Sequence, residues 1–173
     1  RVDQANADLE KALRLKPGYS DALALQAIVA VVQNDKEKAL SLAQKAVAAD
    51  PNSATAHLSM SYAQQARFDL DGALASLQAA VNVAPENALA WARLAEIWSA
   101  KGYLDRSLQA AQKAVELDPS LSRTQTVLGF AHLTRVETEE AKTAFEKAIR
   151  FDPADPLPRL GLGLAKIREG DLD

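Results

Sequence analysis

Prolines recur through this chain at an interval of 34 residues. Five of the seven prolines stand at this interval, namely Pro17, Pro51, Pro85, Pro119 and Pro153. Proline has no backbone N–H and disfavours helical conformation in the residue before it, so each of these prolines is expected to end a helix. Such a fixed spacing indicates a chain built from repeated units, because self-similarity at about 20–50 residues is typical of solenoids and arrays.

Small and aliphatic side chains occupy fixed places within the same interval. When each periodic proline is counted as position 32, position 27 is always alanine, position 20 is alanine or serine, and position 28 is aliphatic. Positions 20, 24, 27, 28 and 31 are three or four residues apart and therefore share one face of a helix. An acidic residue, which favours the positive N-terminal end of a helix, precedes each of these helices: Asp3, Glu37, Asp71, Asp105 and Glu139.

The pattern resembles the tetratricopeptide repeat, a helix-turn-helix unit of 34 residues. The match is clearest in the two units that begin at Ala88 and Ser122. The first of them has Trp91 at position 4, and the second has Gly129 at position 8 and Phe145 at position 24, which are the residue types that the family pattern has there. The resemblance extends over the whole chain.

The resemblance implies an all-α fold, a right-handed α-solenoid of antiparallel helix-turn-helix repeats with about ten helices. The register places the first residue in the turn before a second helix and the last residue just after a first helix. We therefore expect the natural protein to continue in both directions. The predicted single array consists of a half repeat at 1–19, full repeats at 20–53, 54–87, 88–121 and 122–155, and a half repeat at 156–173.

The composition argues against several classes of function. The formal net charge is −3 and no run of Lys or Arg is longer than two residues, which argues against a nucleic-acid partner. The chain has no cysteine, so disulfides and thiolate metal sites are excluded, and a cytoplasmic or a bacterial periplasmic or envelope location fits equally well. No apolar run approaches the roughly 18 residues that span a bilayer, so we expect no direct membrane insertion.

Catalytic chemistry is not expected either. The histidines His57 and His132 stand at positions 4 and 11 of non-adjacent repeats, where the family packs aromatic side chains between helices. Gly161 and Gly163 imitate part of a dinucleotide fingerprint, but no strand precedes them and no third glycine follows at the required place. We predict a protein that is not an enzyme, with no catalytic residues, no cofactor and no metal site.

The resemblance also implies a binding surface, because the first helices of such repeats line the concave face of the solenoid. The inward positions are 2, 5, 6, 9, 12 and 13 of each unit, and here they are mainly apolar. Positions 5 and 9 lack the Lys and Asn with which some members clamp a carboxylate, and position 6 lacks the asparagine ladder of another branch. The predicted groove residues are Ile28, Leu58, Tyr62, Gln65, Leu89, Arg93, Glu96, Arg123, Thr126, Phe130, Leu133 and Leu164.

We expect a non-catalytic scaffold that binds a protein or peptide segment in this apolar groove. Tyr62 and Phe130 would anchor the segment, and Arg93 and Arg123 would orient an acidic group on it. A competing interpretation is that some groove residues pack on neighbouring first helices and leave a smaller apolar patch. The alternative function is a structural spacer or self-assembly module of a larger bacterial protein, such as an envelope protein, which would form homo-oligomers through the unfinished ends of the array.

Overall fold

The computed structural model describes residues 2–170, with side chains described from Gln4 onwards. The described residues form ten α-helices and no strand, which confirms the predicted all-α fold. None of these ten helices combines the length and the apolar character needed to cross a membrane. The helices are α1 (Val2–Leu15), α2 (Ser20–Val32), α3 (Lys36–Ala49), α4 (Ala54–Ala66), α5 (Leu70–Val83), α6 (Ala88–Ala100), α7 (Leu104–Leu117), α8 (Ser122–Thr134), α9 (Thr138–Phe151) and α10 (Leu157–Glu169).

The chain divides into two compact units, Arg1–Pro85 with α1 to α5 and Glu86–Asp173 with α6 to α10. In the first unit, α2 packs on α3 and α4, and α4 packs on α5. In the second unit, α6 packs on α7 and α8, and α8 packs on α9 and α10. Each unit is therefore built from helical hairpins, in which a first helix contacts its own second helix and the next first helix. The division of the chain into one array of half and full repeats stays a prediction.

A residue in left-handed conformation closes the turn inside each hairpin. In the first turn, the Asn34 N–H donates to the Val31 carbonyl at 3.0 Å, and the Asp35 N–H donates to the Ala30 carbonyl at 2.9 Å. These bonds satisfy carbonyls that the helix end leaves open, and they depend on a positive φ at the residue that closes the turn. That residue recurs every 34 positions, as Asn34 (60°), Phe68 (64°), Gly102 (81°), Val136 (67°) and Gly170 (84°).

Aspartate precedes three of the periodic prolines and orders the turn between hairpins. The Oδ1 atoms of Asp50, Asp118 and Asp152 each accept a hydrogen bond from the backbone N–H two residues later, at 3.0–3.1 Å. A side chain that bonds two residues ahead mimics a backbone turn. The proline thus ends the second helix, and the aspartate spans the proline to hold the start of the connection to the next hairpin.

The core between paired helices consists largely of alanine. The small residues predicted at positions 20 and 27 are at most 1% exposed wherever the structure describes a full hairpin. Without larger side chains at these places, the two helices of a hairpin can approach closely. These buried residues are Ala39, Ala46, Ala73, Ala80, Ser107, Ala114, Ala141 and Ala148.

One aromatic side chain fills the centre of the second unit. Phe145 on α9 is fully buried and lies between two glycines, Gly129 on α8 and Gly161 on α10. A Cβ added at Gly129 would lie 2.5 Å from the Phe145 ring, and one at Gly161 would lie 2.3 Å from it. The rings of Phe145 and Phe130 also pack edge to face, with their centroids 4.9 Å apart. Gly161 therefore makes room for packing inside a helix, in agreement with its place in the repeat register.

Ion pairs connect successive hairpins at one recurring place. Arg67 pairs with Glu37, and Arg135 pairs with Asp105, each partner coming from the hairpin before. At the corresponding place further along the chain the two residues are Glu139 and Glu169. Both are acidic, and Lys142 bridges their carboxylates at 3.0 and 2.9 Å. The hydrogen bond from Lys142 holds the pKa of Glu139 below its ordinary value.

Candidate binding groove

The predicted groove residues all lie on the first helices of the hairpins, which are α2, α4, α6, α8 and α10. Their exposure differs more than their shared register suggests. Leu89 and Leu164 are exposed, at 48% and 45%. Arg93, Thr126 and Leu133 are buried, at 6%, 2% and 8%. The remaining predicted residues are half-buried, and they are Ile28, Leu58, Tyr62, Gln65, Glu96, Arg123 and Phe130.

The buried members of the set contribute little surface for a partner. The Thr126 hydroxyl donates to the Ser122 carbonyl at 2.8 Å within its own helix. Leu133 belongs to the hydrophobic cluster around Phe145. Because these side chains are taken up by the interior of the second unit, the exposed part of its groove is smaller than the sequence register alone predicts.

A cavity of about 350 Å³ lies in the second unit, where α6 and α8 are neighbours. We call it the α6–α8 cavity. It brings together four predicted residues, Glu96, Arg123, Thr126 and Phe130, and its remaining lining consists mostly of small side chains. Its volume falls within the range of about 300–1,000 Å³ that is common for ligand sites.

Sequence reasoning missed part of this cavity. Leu157 on α10 lines it, as do Ser99 and Ala100 at the end of α6 and Thr134 at the end of α8. These residues stand at positions 2, 12 and 13 of their units. The positional rule that selected Arg123 would have selected them too, had it been applied to every unit.

Two arginines share one carboxylate beside the α6–α8 cavity. Arg93 donates from Nη1 to one oxygen of Glu96 at 2.7 Å, and Arg123 donates to the other oxygen. The side chain of Arg93 is 7% exposed, whereas that of Arg123 is 37% exposed. The sequence predicted that both arginines face a partner, and the structure makes Arg123 the accessible member of the cluster.

A second cavity in the same unit, of about 470 Å³, lies where α8 meets α10. Leu164 and Ile167 line it together with Leu133 and Arg168. Arg168 donates from Nη1 to the Leu133 carbonyl at 2.5 Å, so it caps the end of α8. We call this the α8–α10 cavity. Apolar side chains and one guanidinium dominate its lining, as they do in the α6–α8 cavity.

The first unit carries a cavity of a different kind, with a volume of about 460 Å³. Tyr62 and Gln65 on α4 line it, together with Val31 on α2 and Phe68 in the next turn. Phe68 is 85% exposed, and the Lys36 ammonium lies 5.3 Å from the centre of its ring. We call this the Phe68 cavity. Of the predicted residues in this unit, Ile28 and Leu58 do not line it.

The histidines contact turn atoms. His57 Nε2 lies 2.8 Å from the Pro51 carbonyl, and His132 Nδ1 lies 2.7 Å from a carboxylate oxygen of Glu137. The pKa of Glu137 is held below its ordinary value, first by the hydrogen bond from His132 and then by the one from Arg135. Among the side chains that the structure describes, no three His, Asp or Glu are grouped so as to hold a metal ion.

Comparison with known structures supports the same architecture. TTC0263, a thermophilic repeat protein from Thermus thermophilus, is 22% identical over 96% of this chain and 91% of its own, with a TM-score of 0.84. YrrB, described as having an unusual peptide-binding site, is 19% identical over 95% of this chain and 85% of its own, with a TM-score of 0.64. The Sgt2 repeat domain from Aspergillus fumigatus is 25% identical over 68% of this chain and 80% of its own, with a TM-score of 0.65.

No curated protein matches the chain in sequence. Family profiles do match it, and all of them describe the tetratricopeptide repeat. They cover residues 1–54 and 59–122 with one profile and residues 123–155 with another. Proteins of this kind typically serve as scaffolds for protein–protein interaction and are generally not enzymes. Residues 2–170 form ten helices, eight of them paired into hairpins, and a proline recurs every 34 residues. With these family matches over most of its length, the chain is an α-solenoid that belongs to the tetratricopeptide repeat family.

Proposed function

We propose that this protein is a non-catalytic scaffold that binds a partner segment along its first helices. The observation that carries the proposal is the α6–α8 cavity, with its volume of about 350 Å³ and its largely apolar lining. A concave apolar site with a few polar groups at its edge is the usual form of a binding site. Phe130 supplies the aromatic surface of the proposed site, and Glu96 and Arg123 supply its charged groups.

Exposed apolar side chains on α10 extend this surface. Leu157, Leu160, Leu164 and Ile167 are between 41% and 60% exposed. Their spacing of three and four residues places them on one face of the helix. A contiguous apolar stripe of this kind on a protein surface usually marks an interaction site, because water contact with it is unfavourable.

The first unit supports the proposal in its own way. Tyr62, which is predicted to anchor the partner, lines the Phe68 cavity with Gln65. Leu58 is half-buried one turn before Tyr62 on the same helix. These side chains give α4 an apolar and aromatic face that suits an extended or helical peptide. YrrB, a protein of the same fold, has a peptide-binding site, which is consistent with this use of the architecture.

A selection from a displayed library of random short peptides tests the proposal. Enriched peptides would be synthesised and titrated against the chain labelled with ¹⁵N, whose mass of 18.6 kDa suits amide NMR. We expect shift changes to concentrate on α4, α8 and α10. Substituting Tyr62→Ala and Phe130→Leu should weaken binding without loss of the helical circular dichroism signal. Failure to enrich any peptide, or shift changes confined to the second helices, would contradict the proposal.

Self-assembly is the second candidate function, and the apolar stripe on α10 is the observation that favours it. Leu160 and Ile167 are its most exposed members, at 58% and 60%. If the stripe pairs two copies of the chain, the molecular mass from light scattering will rise with concentration. The double substitution Leu160→Glu and Ile167→Glu should then restore the monomer mass, because each charge would be buried in the contact. A monomer mass at every concentration would exclude this use of the stripe.

A further inference from the structure

We infer that the α6–α8 cavity receives a bulky apolar side chain from a partner segment that carries an Asp or Glu carboxylate beside it. This inference rests on the proposed function and adds the chemistry of the partner. Two features of the cavity carry it, the hydrogen-bonded state of its hydroxyl groups and the charge at its polar side.

Three of the four hydroxyl groups that line the cavity, all except that of Ser99, already donate hydrogen bonds within the protein. Ser107 donates to the Ala95 carbonyl at 2.9 Å, Thr126 to the Ser122 carbonyl at 2.8 Å, and Thr134 to the Ala131 carbonyl at 2.9 Å. Each of these donors serves the protein backbone and is not offered to a ligand. The lining therefore presents mainly methyl and methylene surface. Against this methyl and methylene surface, away from Arg123, a polar side chain would lose its water with little compensation, whereas an apolar one gains by leaving water.

The shape of the lining agrees with a large occupant. On the α6 and α7 side the side chains are small, with Ala95, Ser99, Ala100 and Ser107. Phe130 and Leu157 supply the larger apolar contacts. Small residues on one side leave the volume of about 350 Å³, and large ones on the other offer surface for dispersion contacts. Leucine, methionine and phenylalanine side chains meet these conditions.

The charge beside the cavity is positive. Glu96 accepts hydrogen bonds from both Arg93 and Arg123, so the three side chains carry a net charge of +1. Arg123 is the exposed cation of the group and lines the cavity itself. Within residues 2–170 its guanidinium is bonded through Nη2 alone, which leaves Nε and Nη1 to donate to a further acceptor. A guanidinium binds carboxylates through paired N–H donors.

The neighbouring α8–α10 cavity is also lined by a positively charged residue. Its charged lining residue is Arg168, and the α6–α8 cavity contributes Arg123 and the already paired Glu96. This surface is therefore positive in a chain whose formal net charge is −3. A partner segment with carboxylates is attracted to it, and a basic segment is repelled, because like charges at an interface are unfavourable. Since Arg123 lines the cavity that holds the apolar side chain, the carboxylate belongs on an adjacent or next-but-one residue.

The test uses the library of random short peptides described above and compares variants of the whole chain. With the unmodified chain, we expect enrichment of peptides that place Leu, Met or Phe next to Asp or Glu. Replacing that acid by its amide in a fluorescein-labelled enriched peptide should weaken binding roughly tenfold, as expected for one charge-assisted hydrogen bond. Arg123→Gln should bind the acid and amide peptides equally. Arg150→Gln, which makes the same change of charge outside both cavities, should keep the difference.

Filling the cavity tests the other half of the inference. Ser99→Leu and, separately, Thr134→Leu place a leucine in the lining and should remove the preference for a bulky apolar residue while the helical signal is retained. Enrichment of basic peptides, or an acid preference that survives Arg123→Gln, would overturn the inference and leave the proposed function standing. Absence of any enriched peptide would overturn the proposed function and this inference with it.

Discussion

The two units of the molecule share one repeat pattern and differ in the surfaces that they present. Both have alanine at the close contacts between paired helices. The first unit presents the Phe68 cavity, with aromatic side chains and the ammonium of Lys36. The second presents two cavities with guanidinium groups and aliphatic walls. The repeat constrains the residues that join helix to helix, and it leaves the outward positions of the first helices free to differ.

The units also differ inside, at position 24 of the second helices. The larger side chain is Leu77 in the first unit and Phe145 in the second, and both are fully buried. Phe145 lies against Gly129 and Gly161. In the second unit, therefore, glycines on the first helices leave space for a ring on α9. The comparison shows that one repeat pattern accommodates two distributions of side-chain volume, and the following substitutions test this.

The largest effect is expected from Phe145→Ala. Removing a fully buried ring between two glycines leaves a cavity that no neighbouring side chain can fill, and large-to-small changes of this type cost about 3–5 kcal/mol. Urea denaturation followed by circular dichroism measures the loss, and hydrogen exchange shows where it falls. Leu77→Ala is the matched change in the first unit and should cost less. Equal losses would show that the glycines do not make Phe145 special.

An intermediate effect is expected from Gly161→Ala. The added Cβ would lie 2.3 Å from Cζ of the buried Phe145 ring, and overpacking of this kind costs about 1–3 kcal/mol. Gly163 on the same helix is the control, because a Cβ there meets nothing within 4 Å. Gly163→Ala should stabilise the protein by about 0.5–1 kcal/mol through the higher helix propensity of alanine. Thermal unfolding of the two variants should therefore shift in opposite directions.

A smaller effect, in this case a gain in stability, is expected from substitutions at the turns. Val136 and Phe68 adopt φ values of 67° and 64°, which cost roughly 1–2 kcal/mol for a residue with a Cβ. Val136→Gly should recover about 1 kcal/mol of this strain after the entropy of the added glycine is subtracted. Phe68→Gly should gain less, because β-branching makes the valine conformation worse. Asn34→Gly is the control with the smallest gain, and a loss of stability for Val136→Gly would show that its side chain makes a stabilising contact.

The smallest effect is expected in the pH dependence of the second unit. The pKa of Glu139 is held below its ordinary value near 4.5 by Lys142 first. A carboxylate with a depressed folded-state pKa contributes stability above its unfolded pKa, and this stability is lost as the pH falls through the folded value. Lys142→Met should therefore raise the pKa of Glu139 and flatten the loss of stability on acidification below about pH 4.5.

Side-chain carboxyl NMR titration measures the pKa of Glu139 directly. Lys113→Met is a suitable control, because Lys113 pairs with Glu116 within one exposed helix face and not between hairpins. An unchanged Glu139 pKa in Lys142→Met would mean that the bridge does not form in solution.

The period of the prolines was enough to predict the helices and the buried alanines, because both depend on local rules. A proline cannot continue a helix beyond its first turn, and a small residue is required wherever two helices meet closely. The exposure of the groove residues could not be predicted in the same way. Thr126 and Leu133 occupy inward positions of α8, yet both are buried, and Leu133 lies in the core cluster with Phe145 of α9.

The turn conformations were also beyond sequence reasoning. A glycine such as Gly102 indicates a left-handed conformation, but phenylalanine and valine, present as Phe68 and Val136, rarely adopt a positive φ. Hydrogen bonds that close the hairpin impose the conformation at these places. The pairing of Glu96 with Arg123 was likewise not predicted, because it depends on where α8 meets α6.

The bridge made by Lys142 has a consequence for how this chain can vary. Elsewhere the corresponding pairs are a cation and an anion, as in Arg67 with Glu37 and Arg135 with Asp105. Where Glu139 meets Glu169, loss of the lysine would leave two acids side by side. The three residues therefore form a mutational dependency, in which loss of the charge at residue 142 costs less once Glu139 or Glu169 is no longer acidic. Sequences that descend from the same repeats should show these positions changing in that order.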